Sequence, residues 1–407
     1  MILPATARAN DGYCMPCVHK RRREEHEEYI RRNRREVDPY AGITDVVEII
    51  RVMHTRRPND PLVVYRPGPK SAEELYSELN TEQAARLMTM AAEAMFARDH
   101  GFAEAVAESL ATLTDFSLDE MLEAWVESNC FWPPVIFRGA GPKMRDAVIK
   151  AAQSKTVNRH HARCALAWIG DGGAQDFFRE WEGEALSLRP EIVIGSNSYT
   201  RKAAWELEGN RRRDLFHAEC WAITPGDRAA DAAIDVMGEA DQSCPWCKRR
   251  LVHLIELNVT DERFTFLNFN GEKLRILTCE ACTCFGFMFS RISADGSVRL
   301  ADESKRPVRL PEDSSSWAQS PWKGQAVQLH RRRAIHAVDW CMPVTVSQVG
   351  GLPSWVQSAE FPKCPDCSKT MTFVAQVDNG HFPTDEGVYY AFLCTECRTA
   401  ATGYQQT

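Results

Sequence analysis

Ten of the fifteen cysteines in this 407-residue chain fall into five Cys-x-x-Cys pairs, and four of those pairs form two matching sets. CPWCKRRLVHLIELN, from Cys244, aligns with CPDCSKTMTFVAQVD, from Cys364. Pro245 meets Pro365, while Leu251, Leu254 and Leu257 meet Met371, Val374 and Val377; Glu256 falls opposite Gln376. Each run leads to a second knuckle, LTCEAC ending at Cys282 and FLCTEC ending at Cys397, with 31 and 26 residues between knuckles. The spacing predicts a tandem pair of one β-rich unit.

The chemistry follows from the spacing. Two residues between cysteines let a tight turn aim both sulfurs at one ion, and zinc takes four thiolates in a tetrahedron at about 2.3 Å. The expected ligand sets are Cys244, Cys247, Cys279 and Cys282, and Cys364, Cys367, Cys394 and Cys397. A closed four-thiolate site leaves no open coordination position, so both ions are expected to be structural. A redox dithiol would need its pair at a helix N-terminus, whereas these pairs lead into strands. Cys282 is preferred to Cys284 by the parallel with Cys397, and Cys284 is read as a small buried side chain. Cys14 and Cys17 have no second knuckle nearby. A third zinc site completed by a distant residue and free thiols in an N-terminal arm are both open. His19 and His26 stand about 10.5 Å apart along a helix and cannot share an ion.

The odd cysteine count and the absence of a basic, apolar leader in MILPATARANDG argue against a secreted disulfide framework and point to a cytoplasmic chain. No run approaches the roughly 18 apolar residues of a spanning helix, so no membrane role is expected. A formal charge of -7 argues against general nucleic-acid binding and suits a basic partner.

The expected fold class is α+β multidomain: a helical, HEAT-like N-terminal domain followed by a duplicated β-rich domain with two zinc-ribbon-like sites. Residues 1–38 carry Cys14, Cys17 and a charged run with Arg21 to Glu25 and Glu27 to Arg31 offsets that predict a solvated helix. Residues 39–189 are rich in Ala, Leu, Met and Glu, with Leu87, Met90, Ala91 and Ala94 at helical offsets. Ser71 with Glu74 predicts a capping box, and Thr81 a second cap. Further helices are expected over 117–128, 142–153, 157–169 and 173–182. HARCALAWIGDGGAQDFFREWE, with its Ile169-Gly170-Asp171 ending, resembles a HEAT-type repeat. Residues 190–300 form the first β-rich unit, 301–324 a polar linker and 325–407 the second unit. LVHLIELN, RFTFLNF, KLRILTC, TMTFVAQV and GVYYAFLC read as strands.

Before the second set, VSQVGGLPSWVQ carries Gly350-Gly351, Pro353, Trp355 and Gln357, followed by Cys-Pro-x-Cys, Phe373 and Gln376. This pattern, over 343–407, resembles the YwqG-like family. That family is similar to the eukaryotic programmed-cell-death-protein-two and yeast ribosome-synthesis-factor group. The resemblance implies duplicated β-rich domains and, for the eukaryotic members, escort of a small-subunit ribosomal protein. Some bacterial relatives are suspected of protecting against toxins. Trp355, Gln357 and Gln376 are candidates for a peptide-contacting surface, against the plain alternative that they pack the core and bond backbone. No Gly-Gly-x-Pro-x-Trp-x-Gln precedes Cys244.

Enzyme signatures are absent: there is no Gly-x-Ser-x-Gly, phosphate loop, dinucleotide fingerprint or His-Glu-x-x-His. Cys220 with His217, three apart on an expected helix, is a nucleophile and base without supporting groups. His160 and His161 beside Cys164 read as a helix face, and Asp385 with Glu386 as a solvated loop. The expected function is a non-enzymatic, zinc-binding protein that escorts a basic protein client. An immunity-type role against a toxin, or a hydrolase using Cys220 and His217, are the alternatives. No small-molecule substrate is evident.

Overall fold

The computed structural model describes residues 13–154, 158–188, 195–226, 231–312, 326–336, 347–378 and 387–406. The chain forms two units, Met1–Ser109 and Leu110–Thr407.

The first unit is helical. α1 (Met15–Asn33) buries only Val18 and carries its charges in solvent, with Lys20 to Glu24 and Arg21 to Glu25 pairs along one side. A short parallel pair, β1 (Arg35–Val37) and β2 (Val63–Tyr65), follows the chain around α2 (Val46–His54). Ser71 and Glu74 close a capping box on α3 (Ala72–Ser77). The cap of α4 (Thr81–Phe96) is Asn80, not Thr81, because Asn80 and Gln83 exchange the two bonds of a box and Thr81 becomes the first helical residue. α4 turns Ala84, Leu87, Ala91 and Met95 inward, a stripe displaced from the expected one, with Met90 and Ala94 half-buried. α5 (His100–Leu113) runs across the boundary between the units.

The second unit begins with α6 (Asp119–Glu127), α7 (Pro142–Gln153), α8 (Arg159–Ile169) and α9 (Gly172–Leu188), close to the expected spans. Gly170 ends α8 at φ +57, and the Asp171 carboxylate accepts the Ala174 N–H at the start of α9 while pairing with Arg145 at 2.8 Å. The Ile-Gly-Asp sequence therefore makes a tight hairpin between two helices. A short helix, α10 (Asn197–Thr200), precedes the strands. Trp205 Nε1 donates to the Ala167 carbonyl at 2.7 Å, fastening α8 to the β region.

The strands are β3 (Trp205–Glu208), β4 (Arg211–Asp214), β5 (His217–Pro225), β6 (Ile234–Ser243), β7 (Arg250–Asn258), β8 (Lys273–Thr278), β9 (Met288–Ile292) and β10 (Val298–Leu300). They continue with β11 (Val327–Arg332), β12 (Gln348–Gly351), β13 (Thr372–Asp378), β14 (Val388–Cys394) and β15 (Thr399–Gln405). β3 and β4 form a hairpin, β6-β7-β8 a small antiparallel sheet, and β10-β9-β15-β14-β13-β12-β5-β11 an eight-stranded sheet.

The large sheet takes strands from both sides of 301–324, so that stretch does not divide the sheet into separate domains. Ala301 and Leu310 are buried in the β region; residues 313–324 lie outside those described. RFTFLNF is a 3-10 turn over Glu262–Leu267, not a strand, because Asp261 caps it and Phe264 and Leu267 point into the core three residues apart. One core cluster joins both sheets, including Val236, Leu254 and Ile276 together with Val374, Val377 and Tyr389. Among the described residues no helix is long and apolar enough to cross a membrane.

Candidate metal centres

The leading knuckles are built alike. The Cys244 N–H donates to the Arg249 carbonyl at 2.7 Å and the Cys364 N–H to the Lys369 carbonyl at 2.8 Å. Lys248 and Ser368 donate back to the carbonyls of Cys244 and Cys364, at 3.0 and 2.9 Å. Both residues take the left-handed conformation, φ +65 and φ +62. The turn aims two sulfurs inward and sends the chain directly into β7 or β13.

β8 and β14 then return antiparallel and deliver the trailing cysteines beside the leading ones. Both strand pairs break register at the same offset, between His253 and Ile255 and between Phe373 and Ala375, nine residues after the leading cysteine. A cation two residues past each leading knuckle reaches a glutamate inside the trailing one: Arg249 to Glu280 at 3.5 Å and Lys369 to Glu396 at 2.8 Å. The trailing knuckles differ. Arg398 follows Cys397 at φ +53, whereas Thr283 begins a 3-10 turn after Cys282.

Cys244, Cys247, Cys279 and Cys282 bring their sulfurs within 4.8 Å of one another, as do Cys364, Cys367, Cys394 and Cys397. The Cys244–Cys282, Cys247–Cys279 and Cys367–Cys394 separations are 3.6, 3.4 and 3.7 Å. A tetrahedron with Zn–S near 2.3 Å has sulfur–sulfur edges of about 3.8 Å, so both groups are suited to binding a zinc ion, two in all. Hydrogen bonding from Cys244 holds Cys247 far below the ordinary thiol range, while Cys279 and Cys282 are pushed up. One cation replacing the protons satisfies all four sulfurs.

The surroundings of the groups are unequal. All four sulfurs of the first are buried, whereas Cys367 and Cys397 of the second are partly exposed. Asp366, between the two leading cysteines of the second group, accepts from Arg291 at 2.6 and 2.9 Å and from the Thr399 hydroxyl at 2.7 Å. Arg291 first and Thr399 second hold its carboxyl below the usual range. Its spacing within the knuckle was a signal available in Cys-Pro-Asp-Cys, but its arginine partner lies 75 residues away on β9.

The remaining candidates separate from these centres. Cys14 and Cys17 stand at the start of α1 with their sulfurs 3.2 Å apart, and neither joins a metal-competent group of three or more among the described residues. His19 and His26 lie on the same continuous helix. Cys284 is exposed, not buried; its thiol donates to the Glu280 carbonyl at 3.3 Å, turned outward by the 3-10 turn. Cys220 and His217 lie on β5, not on a helix, and a three-residue offset on a strand does not stack side chains as a helix would. Cys220 is wholly buried, and burial lowers His217 to about 4, so an exposed nucleophile with an adjacent base is not formed. His160 Nδ1 contacts the Tyr199 hydroxyl at 3.2 Å, with Cys164 4.0 Å from its other nitrogen. Asp385 and Glu386 lie outside the described residues.

The expected peptide surface is mostly interior. Trp355 is 4% exposed and stacks on Tyr390 with centroids 4.7 Å apart. Gln376 is fully buried, and its Oε1 accepts the Ser354 N–H at 2.9 Å. Gln357 is exposed, but its backbone N–H donates to Gln405 and its Nε2 to the Gln406 carbonyl. Alongside them Gln348 Nε2 donates to the Gly350 and Leu352 carbonyls, both at 2.9 Å, and the Tyr390 hydroxyl to the Ser354 carbonyl. These side chains satisfy the backbone of a buried corner that leaves the sheet. Gln348 lies within VSQVGG, where a single amide beside apolar and glycine residues is the sequence sign of a side chain that bonds backbone.

No family model matches the chain, and no solved structure does. A curated relative, the uncharacterized protein YpfL of Salmonella typhimurium, is 35% identical over 418 residues, covering 100% of this chain and 96% of the relative.

Proposed function

We propose that this chain, which belongs to the family of the uncharacterized protein YpfL, is a zinc-stabilised, non-enzymatic protein that escorts a basic protein client. The observation that carries this reading is β6. Among the described residues this ten-residue strand has one strand neighbour, β7, and exposes Asp235, Glu239 and Asp241. A strand edge offers unpaired backbone groups to an extended segment, and carboxylates along it favour Lys and Arg. The formal charge of -7 acts in the same direction. Four-thiolate zinc sites give the surrounding sheets rigidity without a reactive coordination position.

The segments from Cys244 and Cys364 are two copies of one unit, an assignment favoured by their shared knuckle bonds, left-handed residues and register break. The hairpin of α8 and α9 is HEAT-like, a type of element that serves protein contacts. The resemblance of 343–407 to the YwqG-like group points to the same escort role.

The test is affinity capture with the full-length, zinc-loaded protein, comparing wild type with a variant carrying Asp235→Lys, Glu239→Lys and Asp241→Lys. Recovery of a basic ribosomal protein, reduced at least tenfold by the variant, supports the reading. Recovery of a toxin encoded beside the gene would replace it with the immunity reading, and capture unaffected by the variant would remove β6 from the account.

A further inference from the structure

Cys14-Met15-Pro16-Cys17 opens α1, a helix of nineteen residues whose surface is almost entirely solvated. Cys14 is the N-cap residue and Cys17 sits in the first turn, so both sulfurs face the end of the helix where unpaired N–H groups concentrate positive potential. No acidic residue occupies the first turn, and Lys20, Arg21, Arg22 and Arg23 fill the next. Cys17 is exposed and Cys14 half-buried. Their sulfurs are 3.2 Å apart, already in contact. The sulfurs of a disulfide lie about 2.05 Å apart, a distance reached by side-chain rotation when the two cysteines share one helical turn.

This setting is the opposite of the other four pairs. Those are inside the β region, and each finds two more sulfurs within 4.8 Å. The N-terminal pair finds no such third ligand among the described residues and remains open to solvent. Thiolates near helix N-termini and basic residues are the reactive ones, and exposure decides which of them a small disulfide can reach.

We propose that Cys14 and Cys17 form a reversible dithiol–disulfide couple that exchanges with small-molecule disulfides of the glutathione type. The Cys14 thiolate attacks one sulfur of oxidised glutathione, forming a mixed disulfide and expelling one glutathione thiolate. The Cys17 thiolate then attacks the Cys14 sulfur of that mixed disulfide and expels the second. The protein dithiol loses two electrons and two protons; the glutathione disulfide gains both and leaves as two thiols. The zinc centres take no part, since each of their sulfurs is one of four gathered to hold a metal ion.

The experiment uses the full-length, zinc-loaded protein equilibrated in buffers of reduced and oxidised glutathione, then alkylated and analysed by peptide mass spectrometry. The expected result is loss of both alkylation sites from the peptide containing Cys14 and Cys17 under oxidising buffer. Dithiothreitol should restore them, with zinc content unchanged throughout. In Cys17→Ser the second step is removed, and a glutathione adduct should accumulate on Cys14. This variant alters a solvated turn, so α1 should persist by circular dichroism. Full alkylation of Cys14 and Cys17 under oxidising buffer, no adduct in the variant, or a third zinc ion lost on Cys17→Ser would each overturn the proposal.

Discussion

Gly350 and Gly351 hold φ +71 and +69, and the reason is contact as much as conformation. A Cβ on Gly350 would collide with the Glu219 carbonyl oxygen, and one on Gly351 would lie 2.7 Å from Cys220 Sγ and 2.9 Å from the Ala334 carbonyl oxygen. The positions are therefore closed to every side chain, which explains the pair without a ligand. Gly351→Ala is expected to cost about 3 kcal/mol or more from backbone strain and displacement of Cys220. Chemical denaturation checks this; a variant within about 0.5 kcal/mol of wild type would contradict it. His217, beside Phe266 with ring centroids 5.0 Å apart, gives a pH signature at the same scale. Burial lowers its pKa to about 4 from 6.5, so the unfolded state takes a proton first as pH falls. Its contribution to stability is intact above pH 6.5, declines between 6.5 and 4, and is fully lost below. At pH 5 this amounts to about 2 kcal/mol. Relative to its own value at pH 7, a His217→Gln variant should lose less stability at pH 5 than wild type does, by about that amount. Equal losses would contradict the assignment.

At the scale of elements, the knuckle and its following strand act as one device. Cysteine spacing made both ligand sets legible, because the trailing knuckles can only return to the leading ones through paired strands. The period-two runs after Cys247 and Cys367 identified β7 and β13 for the same reason. RFTFLNF misled because its aromatic content suits a strand, whereas Asp261 at its start sets a turn. The corner at 348–357 was legible as a motif but not as a buried one, since an amide that contacts a ligand and an amide that bonds backbone are the same residue in sequence. Exposure, also invisible in spacing, separates the two centres. The second group has Cys367 and Cys397 partly open, so a chelator or protons should reach it first. Zinc release to a chromogenic chelator should occur in two phases, the faster one abolished by Cys367→Ser. Release in a single phase, or a fast phase abolished by Cys244→Ser instead, would contradict this order.

For the molecule as a whole, most helices, the knuckles and the strands β7, β8, β13 and β14 were readable from local pattern, whereas β5 read as helix and the assembly of the sheets was not readable. The eight-stranded sheet places β9 beside β15 with β10 outside it, and β5 and β11 beyond β12, through pairings between distant segments. The two cysteine-bearing segments consequently share one core, and loss of either ion should disturb a common structure. The most direct test is zinc content per chain by elemental analysis, measured on the purified full-length protein and on Cys244→Ser and Cys364→Ser. Two ions are expected in the wild type and one in each variant; a wild-type protein without zinc, or variants that retain both ions, would contradict the assignment of the two centres.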